Sequence, residues 1–445
     1  MIADSDPRIA SFRTALDAQP LRRFQVTLVA LVALLLVTDG YDAQAIGFVA
    51  PVLAKQWGLA RGAFGPVFSA GLVGTMLGAL IFTPIADRLG ARRVLLACVA
   101  FYGVASLLTI FVRDRETLLA LRLVTGLGIG GAMPNGIALV SDYAPTRART
   151  MMVAIAVCGF SLGGALGGLL AAAAMERFGW QSVFIVGGLA PLLMLPWLAW
   201  TVPESLPRLL AGPPDRLAAM LGRLAPGWRI PVGAGPPPPR SPVAALFADG
   251  LARPTLLIWT AFLCNLLLLY FLANWLPSIV HASGLSLGFA NLVTAFYQGG
   301  GTVGALVLAW LCDRLPPARV LCVAFLGAAL TVALIGSVAA EPPLLMVVVT
   351  LAGFCVVGGQ LAANAFAGTY YPAAIRATGV GWALGVGRFG SIFGPLIGGV
   401  LIQLEIPLAT LFRLGAIPAC GAGLAVLLVR RRAPAPRNEG VAVHG

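Results

Sequence analysis

The residues of this sequence best placed to do chemistry are two carboxylates in its first long apolar segment. Asp39 and Asp42 are three positions apart, so both lie on one face of a helix. At about 1.5 Å per residue, Asp39 falls near the middle of a bilayer-spanning helix and Asp42 slightly further out. A bare carboxylate at that depth costs several kcal/mol. The pair is therefore predicted to bind and release a proton; the alternative is a fixed ion pair with a buried arginine.

Two arginines lie in other apolar segments. Arg388, in the run Gly385-Val-Gly-Arg-Phe-Gly390, is roughly fourteen residues into its helix, which predicts a position near mid-membrane. Its planar guanidinium suits a carboxylate, which can belong either to a substrate or to an internal aspartate. Arg122 opens a segment with glycine at every fourth position; the alternative to a functional role is that it extends to the outer membrane interface.

The amino-acid composition indicates which kind of secondary structure positions these charged side chains. The chain has 445 residues, of which 59% are hydrophobic and 11% charged, whereas soluble domains carry about 25% charge. Its mean hydropathy is +0.91. Each bilayer crossing takes roughly 20 residues, so the sequence predicts an all-α integral membrane protein of twelve transmembrane helices. The net charge of +13 comes from arginines between apolar runs, which argues against a nucleic-acid-binding role.

Apolar runs between polar segments give the boundaries of the twelve predicted helices. These are roughly 24–50, 62–86, 93–112, 118–141, 148–176, 180–201, 254–280, 288–311, 319–339, 343–370, 374–404 and 407–429. The proline-rich stretch between the sixth and seventh helices is predicted to be a linker. The predicted organisation is an N-terminal tail (1–23), a six-helix half (24–202), a linker (203–253), a second six-helix half (254–429) and a C-terminal tail (430–445).

Arginine asymmetry and an internal repeat support this organisation. Arginines are concentrated on one set of loops, so the positive-inside rule predicts that both termini and the linker are cytoplasmic, in a multi-pass protein of the cell inner membrane. The surroundings of Asp87 recur 226 residues later at Asp313, and those of Arg149 recur 227 residues later at Arg376. Two matches at nearly one offset predict two pseudo-symmetric halves, the architecture of major facilitator transporters.

The loop after the second predicted helix carries a charged motif. From Gly78 to Arg93 it reads G-x-x-x-x-x-x-x-A-D-R-x-G-x-R-R, which resembles the signature loop of the major facilitator superfamily. A breakable charge network at this position can stabilise one closed arrangement of the halves; the alternative is membrane anchoring by positive charge alone. The second copy, Asp313-Arg-Leu-Pro-Pro-Ala-Arg319, contains two prolines and lacks the glycine and one arginine of the first copy. The predicted gating residues are Gly78, Asp87, Arg88, Gly90, Arg93, Asp313, Arg314 and Arg376.

Three stretches together resemble the aromatic acid:proton symporter family of that superfamily. They are Asp39-Gly-Tyr-Asp-Ala-Gln-Ala-Ile-Gly-Phe-Val-Ala-Pro51, Thr125-Gly-Leu-Gly-Ile-Gly-Gly-Ala-Met-Pro-Asn135, and Arg376-Ala-Thr-Gly-Val-Gly-Trp382 continuing to Arg388. The resemblance spans the helical chain. It implies uptake of a small aromatic carboxylate, of the hydroxybenzoate or protocatechuate kind, with protons. The functional residues that it implies are Asp39, Asp42, Asp87, Arg122, Asp142, Arg376 and Arg388.

These observations give two sets of predicted site residues besides the gate. Proton coupling is assigned to Asp39, Asp42, Arg122 and Asp142. Substrate binding is assigned to Arg388, Asp39, Asp42, Asn135, Tyr297 and Trp382. The competing hypothesis is a drug or metabolite:proton antiporter of the same superfamily, but the glycine-proline pattern of many antiporters falls here on the eleventh predicted helix instead of the fifth.

No enzymatic, metal or cofactor site is predicted. The seven cysteines are scattered without CxxC spacing, and the only histidines, His281 and His444, have no ligand or catalytic partner nearby in sequence. The expected partners are the aromatic carboxylate, protons and the lipid bilayer, with no nucleic acid, and the chain is expected to be monomeric.

Overall fold

The computed structural model describes residues 14, 16–210, 243–248, 250–371 and 375–429. This part of the chain forms twelve helices that are long and apolar enough to cross a membrane, which confirms the predicted all-α membrane architecture. They are α1 (Arg23–Gln56), α2 (Gly65–Leu89), α3 (Ala91–Leu108), α4 (Arg115–Tyr143), α5 (Thr146–Phe178), α6 (Gln181–Thr201), α7 (Ala252–Ala282), α8 (Leu287–Arg314), α9 (Pro317–Ile335), α10 (Pro342–Tyr370), α11 (Arg376–Gln403) and α12 (Leu408–Leu428).

The predicted tails and linker are only partly described. Residues 1–13, 211–242 and 430–445 lie outside the described residues, so the boundaries of the linker at 203 and 253 stay a prediction. Most helices differ from the predicted bounds by a few residues. The largest extension is in α1, which continues to Gln56 through Pro51, although the prediction ended this helix at 50.

Local sequence explains where several helices begin. The carboxylate of Asp114 accepts a hydrogen bond from the backbone N–H of Thr117 and caps the start of α4, as Ser286 does for α8 through the N–H of Phe289. Between α2 and α3, Gly90 has a φ of 103°, a backbone conformation that favours glycine. The connection from α2 to α3 is therefore a single residue.

Within the first half, α2 and α4 are in backbone contact. A Cβ added to Gly78 would lie 2.1 Å from the carbonyl oxygen of Leu127, and one added to Gly130 would lie 2.1 Å from that of Thr75. Such distances allow no side chain at either position, so the small residues permit the close approach of these two helices.

Among the described residues, the main contacts between the first six helices and the last six join α1 to α7, α2 to α11, and α5 to α8. Ser69 of α2 donates a hydrogen bond to the backbone oxygen of Ile392 at 2.7 Å. Ser161 of α5 donates one to the backbone oxygen of Gln298 at 3.0 Å. Further contacts between the two halves lie toward the end of the bundle where α1 ends. We call this end the sealed end. The opposite end, where α1 begins and α12 stops, we call the terminal end.

Candidate functional site

A buried ion pair joins α1 to α4. Nη1 of Arg122 donates to Oδ2 of Asp42 at 3.3 Å, and the two side chains are 4% and 0% exposed. The other carboxylate oxygen, Oδ1, accepts a hydrogen bond of 2.5 Å from the hydroxyl of Ser106 on α3. Both oxygens of Asp42 are therefore satisfied, one by a charge and one by a neutral donor.

The guanidinium of Arg122 is held from several sides. Its Nη2 donates to the hydroxyls of Thr109 at 3.4 Å and Thr125 at 3.3 Å, and its Cζ lies 5.0 Å from the centre of the Phe184 ring. Because Arg122 is only 3% exposed, the alternative in which it extends to the membrane interface is wrong. In this conformation Asp42 forms an ion pair with a buried arginine, which was the alternative to proton binding for the two aspartates.

Sequence reasoning missed the neutral partners of this pair. Ser106, Thr109 and Thr125 are single hydroxyl residues in apolar segments. The spacing of three between the first two, which places them on one side of the segment formed by α3 and the turn after it, was the available signal. Gly187 of α6 was also missed. A Cβ added there would lie 3.1 Å from Oδ1 of Asp42, so the site requires a small residue at this position.

The ion pair lines a cavity that reaches from one half of the bundle to the other. Its empty volume is about 380 Å³, part of which is open to solvent, and its lining includes Asp42, Thr75 and Arg122 of the first half together with Asn274 of α7. A change in how the halves meet therefore changes the surroundings of Asp42 directly.

Asp39 lies one helical turn away in a different environment. It is fully buried, and neither of its carboxylate oxygens has a hydrogen-bond donor among the described residues. The adjoining polar group is the hydroxyl of Tyr102, which lies 2.9 Å from Oγ1 of Thr38. The two aspartates share a helix face, as predicted, but only Asp42 has a charged partner.

Arg388 is half-buried on α11. Among the described residues it forms no ion pair or hydrogen bond. The preceding Gly387 packs on α7 about nine residues nearer the terminal end than the point where Gly47 of α1 contacts α7. Asp39 is eight residues before Gly47 in α1. Both side chains therefore originate at about the same depth, roughly 12 Å from Gly47.

Asp142 lies far from these groups. It is the penultimate residue of α4, twenty residues after Arg122, which corresponds to about 30 Å along the helix. Its Oδ2 accepts a hydrogen bond from the backbone N–H of Leu206 at 3.0 Å. The structure therefore places Asp142 at the terminal end, where it binds the segment after α6, and does not bring it together with the other predicted proton-coupling residues.

The three uncharged substrate-binding candidates do not line the cavity of Asp42. Asn135 is buried, and its Nδ2 donates to the backbone oxygen of Gly131 within the same helix at 2.7 Å. Tyr297 is fully buried, and its hydroxyl has no partner among the described residues. Trp382 is 44% exposed and stacks on Trp259 with ring centres 5.8 Å apart.

Except for Gly78, which packs on α4 in the middle of α2, the predicted gating residues lie at the terminal end. Asp87 and Asp313 are exposed, and neither forms an ion pair with any other described residue. Arg314 lies over the ring of Trp310 at 4.1 Å. The side chains of Arg88, Arg93 and Arg376 are also exposed. The predicted charge network is thus not formed in this arrangement of the halves.

Glu204, which follows α6, was not predicted and contacts the motif loop. Its carboxylate accepts a hydrogen bond from the backbone N–H of Arg92 at 3.2 Å, and a Cβ added to Gly90 would lie 2.6 Å from it. Its backbone oxygen accepts a hydrogen bond of 2.5 Å from the hydroxyl of Tyr143. Glu204, which follows the end of α6, therefore contacts both the start of α3 and the end of α4.

Several buried amides were also missed. Asn265 of α7 is fully buried and donates from Nδ2 to Oε1 of Gln360 at 2.9 Å. The side-chain oxygens of Asn265, Gln44 and Gln298 have no donor among the described residues. Buried amides of this kind are rare in apolar helices and mark either packing or recognition.

Comparison with known proteins places this arrangement in a family. The sequence profile of the Major Facilitator Superfamily matches residues 32–290 and 258–443. The chain is 43% identical to the gallate transporter of Pseudomonas putida, over 93% of each chain. It is 38% identical to the 4-hydroxybenzoate transporter PcaK of Pseudomonas aeruginosa, over 93% of this chain and 94% of the relative. The inward open structure of the xylose transporter XylE from E. coli is similar in fold, with a TM-score of 0.70 at 15% identity, over 93% of this chain and 98% of that one.

Proposed function

Because this chain belongs to the Major Facilitator Superfamily, and is therefore a multi-pass transport protein and not an enzyme, we propose that it imports a small aromatic carboxylate together with protons by alternating access. The substrate class is of the hydroxybenzoate or protocatechuate kind. Relatives that are named as transporters of aromatic acids, at 43% and 38% identity, support this class.

The observation that carries the coupling proposal is the pair of Asp42 and Arg122 in a cavity between the halves. Protonation of Asp42 removes the negative charge that pairs with Arg122. The charge of the cavity lining that faces the opposite half then changes. A group that gains and loses a proton at this place couples the proton to the movement of the halves, because the two states of the pair favour different arrangements.

Asp39 carries a proton at one stage of the proposed cycle. Its oxygens are fully buried and have no donor among the described residues, and an ionised carboxylate without compensation is costly in such a setting. Asp42 has both a cation and a hydroxyl donor. The two carboxyls thus lie a turn apart in different surroundings, which lets them act at different stages of the proposed cycle.

Arg388 binds the carboxylate of the substrate. It originates at about the depth of Asp39 but makes no ion pair with any described residue, which favours the substrate over an internal aspartate as its anionic partner. The guanidinium fork can hold both oxygens of a carboxylate. Arg122 is not available to bind the substrate carboxylate while it is paired with Asp42.

The conformation is open at the terminal end. Cross-half hydrogen bonds lie toward the sealed end, and the charged loops around Asp87 and Asp313 are exposed and unpaired with each other. Arginines concentrate in the loops of the terminal end, so it faces the cytoplasm by the positive-inside rule. The protein is then an inner-membrane carrier, inward-open, with a charge network that forms when the cytoplasmic end closes.

Uptake by reconstituted protein tests the proposal. Proteoliposomes are given an inward-directed proton gradient and labelled 4-hydroxybenzoate; uphill accumulation that a protonophore abolishes is the expected result. Asp42→Asn is expected to abolish accumulation. The matched control is Asp114→Asn, at the exposed start of α4, because asparagine also caps helices. A proton-independent rate would establish a uniporter, and uptake opposed by outside acid would establish an antiporter.

A further inference from the structure

Two glutamines from opposite halves meet beside a glycine. Gln44 of α1 is 5% exposed and Gln298 of α8 is 3% exposed. A Cβ added to Gly164 of α5 would lie 2.1 Å from Nε2 of Gln44 and 2.7 Å from Nε2 of Gln298. The two amide nitrogens are therefore no more than 4.8 Å apart, the sum of these distances, and the missing side chain at Gly164 leaves the space that they share.

Both amides lack a partner for their oxygens. Oε1 of Gln44 and Oε1 of Gln298 are buried and receive no hydrogen bond from any described residue. A buried acceptor left unsatisfied costs about 1–3 kcal/mol. A molecule that donates hydrogen bonds to both oxygens would remove that cost, whereas apolar side chains in the same place would not have incurred it.

The pair lies on the inner border of the sealed region. The backbone of Gln298 accepts the cross-half hydrogen bond from Ser161. The next recorded cross-half hydrogen bond between the same helices, from Asn291 to the sulfur of Met175, starts seven residues earlier on α8, about 10 Å nearer the sealed end. A molecule that enters from the terminal end therefore reaches the amides of Gln44 and Gln298 where the space between the halves closes.

This position matches the far edge of a substrate anchored at Arg388. Gln44 lies five residues beyond Asp39 in α1, about 8 Å toward the sealed end. Arg388 originates near the depth of Asp39. An aromatic carboxylate whose acid group is bound at Arg388, and whose ring extends toward the sealed end, reaches the depth of the two glutamines.

We propose that Gln44 and Gln298 form a hydroxyl-recognition subsite, in which their side-chain amides hydrogen-bond to ring hydroxyl groups of the substrate. This inference rests on the proposed function. A phenolic hydroxyl both donates and accepts, as an amide does, so it satisfies either orientation of the amides. A ring without hydroxyls leaves both amides unpaired, and sites of this kind reject such analogues strongly.

Binding to the purified full-length protein tests the subsite. Calorimetry compares benzoate, 4-hydroxybenzoate and 3,4,5-trihydroxybenzoate on the wild type and on Gln44→Met and Gln298→Met, which keep side-chain length but remove the amide. Each substitution is expected to weaken binding of the trihydroxy acid about tenfold, or 1.4 kcal/mol, and to leave benzoate within about twofold. The matched control is Asn291→Leu, another buried amide of α8 with an unpaired oxygen, which is expected to leave the selectivity unchanged.

The outcomes separate the subsite from the transport proposal. If the wild type binds the acids but both methionine variants weaken all three equally, or change none, the subsite is refuted and the proposed function stands. Unchanged binding with slower uptake of every acid would assign the glutamines to the sealing contact instead, which also overturns the subsite. If the wild type binds none of the acids, the proposed function fails first. The two substitutions are made separately, so either variant that keeps the wild-type melting temperature decides the question.

Discussion

The ion pair of Asp42 and Arg122 predicts a large coupling between two substitutions. Removing one partner of a buried pair leaves an uncompensated charge and costs about 3–5 kcal/mol. The pair is 0% and 4% exposed, so this range applies to Asp42→Asn and to Arg122→Gln taken singly. In the double variant neither charge remains, and the neutral side chains can hydrogen-bond to each other. We therefore expect the double variant to recover most of the stability lost by either single one.

The same helix supplies a matched control. Arg115 and Glu116 form an ion pair at 2.6 Å, shorter than the 3.3 Å of the buried pair, but their side chains are 37% and 70% exposed. Exposed pairs contribute about 0–1 kcal/mol because water screens them. Glu116→Gln is therefore expected to change stability by less than about 1 kcal/mol, although its pair has the shorter distance.

The assay is reversible unfolding of the purified variants in one detergent, with the interaction energy taken from the double-mutant cycle. Burial, not distance, decides the magnitude in this reasoning. It would be refuted by single variants as stable as the wild type, by a double variant that shows the simple sum of both losses, or by an equal loss for Glu116→Gln. Transport activity does not enter the comparison, so loss of uptake in every variant leaves the test intact.

Three further predictions follow from contacts described above. Gly130→Ala should destabilise the protein by about 1–3 kcal/mol, whereas Gly385→Ala, with nothing within 4 Å of its added Cβ, should not; equal melting temperatures would contradict the backbone contact. Arg388→Lys should weaken binding of the aromatic acid without lowering the melting temperature, because no ion pair with a described residue is lost; wild-type affinity would exclude direct contact. In a chain without its seven native cysteines, cross-linking Ser69→Cys to Ile392→Cys should block uptake reversibly, and unaffected uptake would argue against alternating access.

The helices could be predicted because apolar length alone defines a membrane span. The prediction placed Asp39 and Asp42 on one face of α1 from their spacing, and the structure agrees. It could not distinguish their environments, because the partner of Asp42 on α3, Ser106, is 64 residues away in sequence and hydroxyl residues are common in apolar helices. Contacts between helices depend on rotation about each helix axis, which a single sequence does not specify.

The separation of Asp142 from the other predicted proton-coupling residues could have been found without a structure. Arg122 and Asp142 occupy the same helix twenty residues apart, and helix geometry alone separates them by about 30 Å. Grouping the two by family resemblance ignored that distance. By contrast, the neighbours of Gln44 and Gln298 depend on how the halves meet, which follows from packing of α5 on α8 and has no local sequence signal.

The internal repeat gives the two halves unequal chemical inventories. Asn265 lies 226 residues after Asp39, the offset that relates Asp313 to Asp87, and Leu268 lies at the same offset from Asp42. The duplicated scaffold therefore carries acids in one copy and an amide and an aliphatic side chain in the other. Under the proposed function, neither half alone constitutes a carrier, because Asp39 and Asp42 belong to the first half and Arg388 belongs to the second.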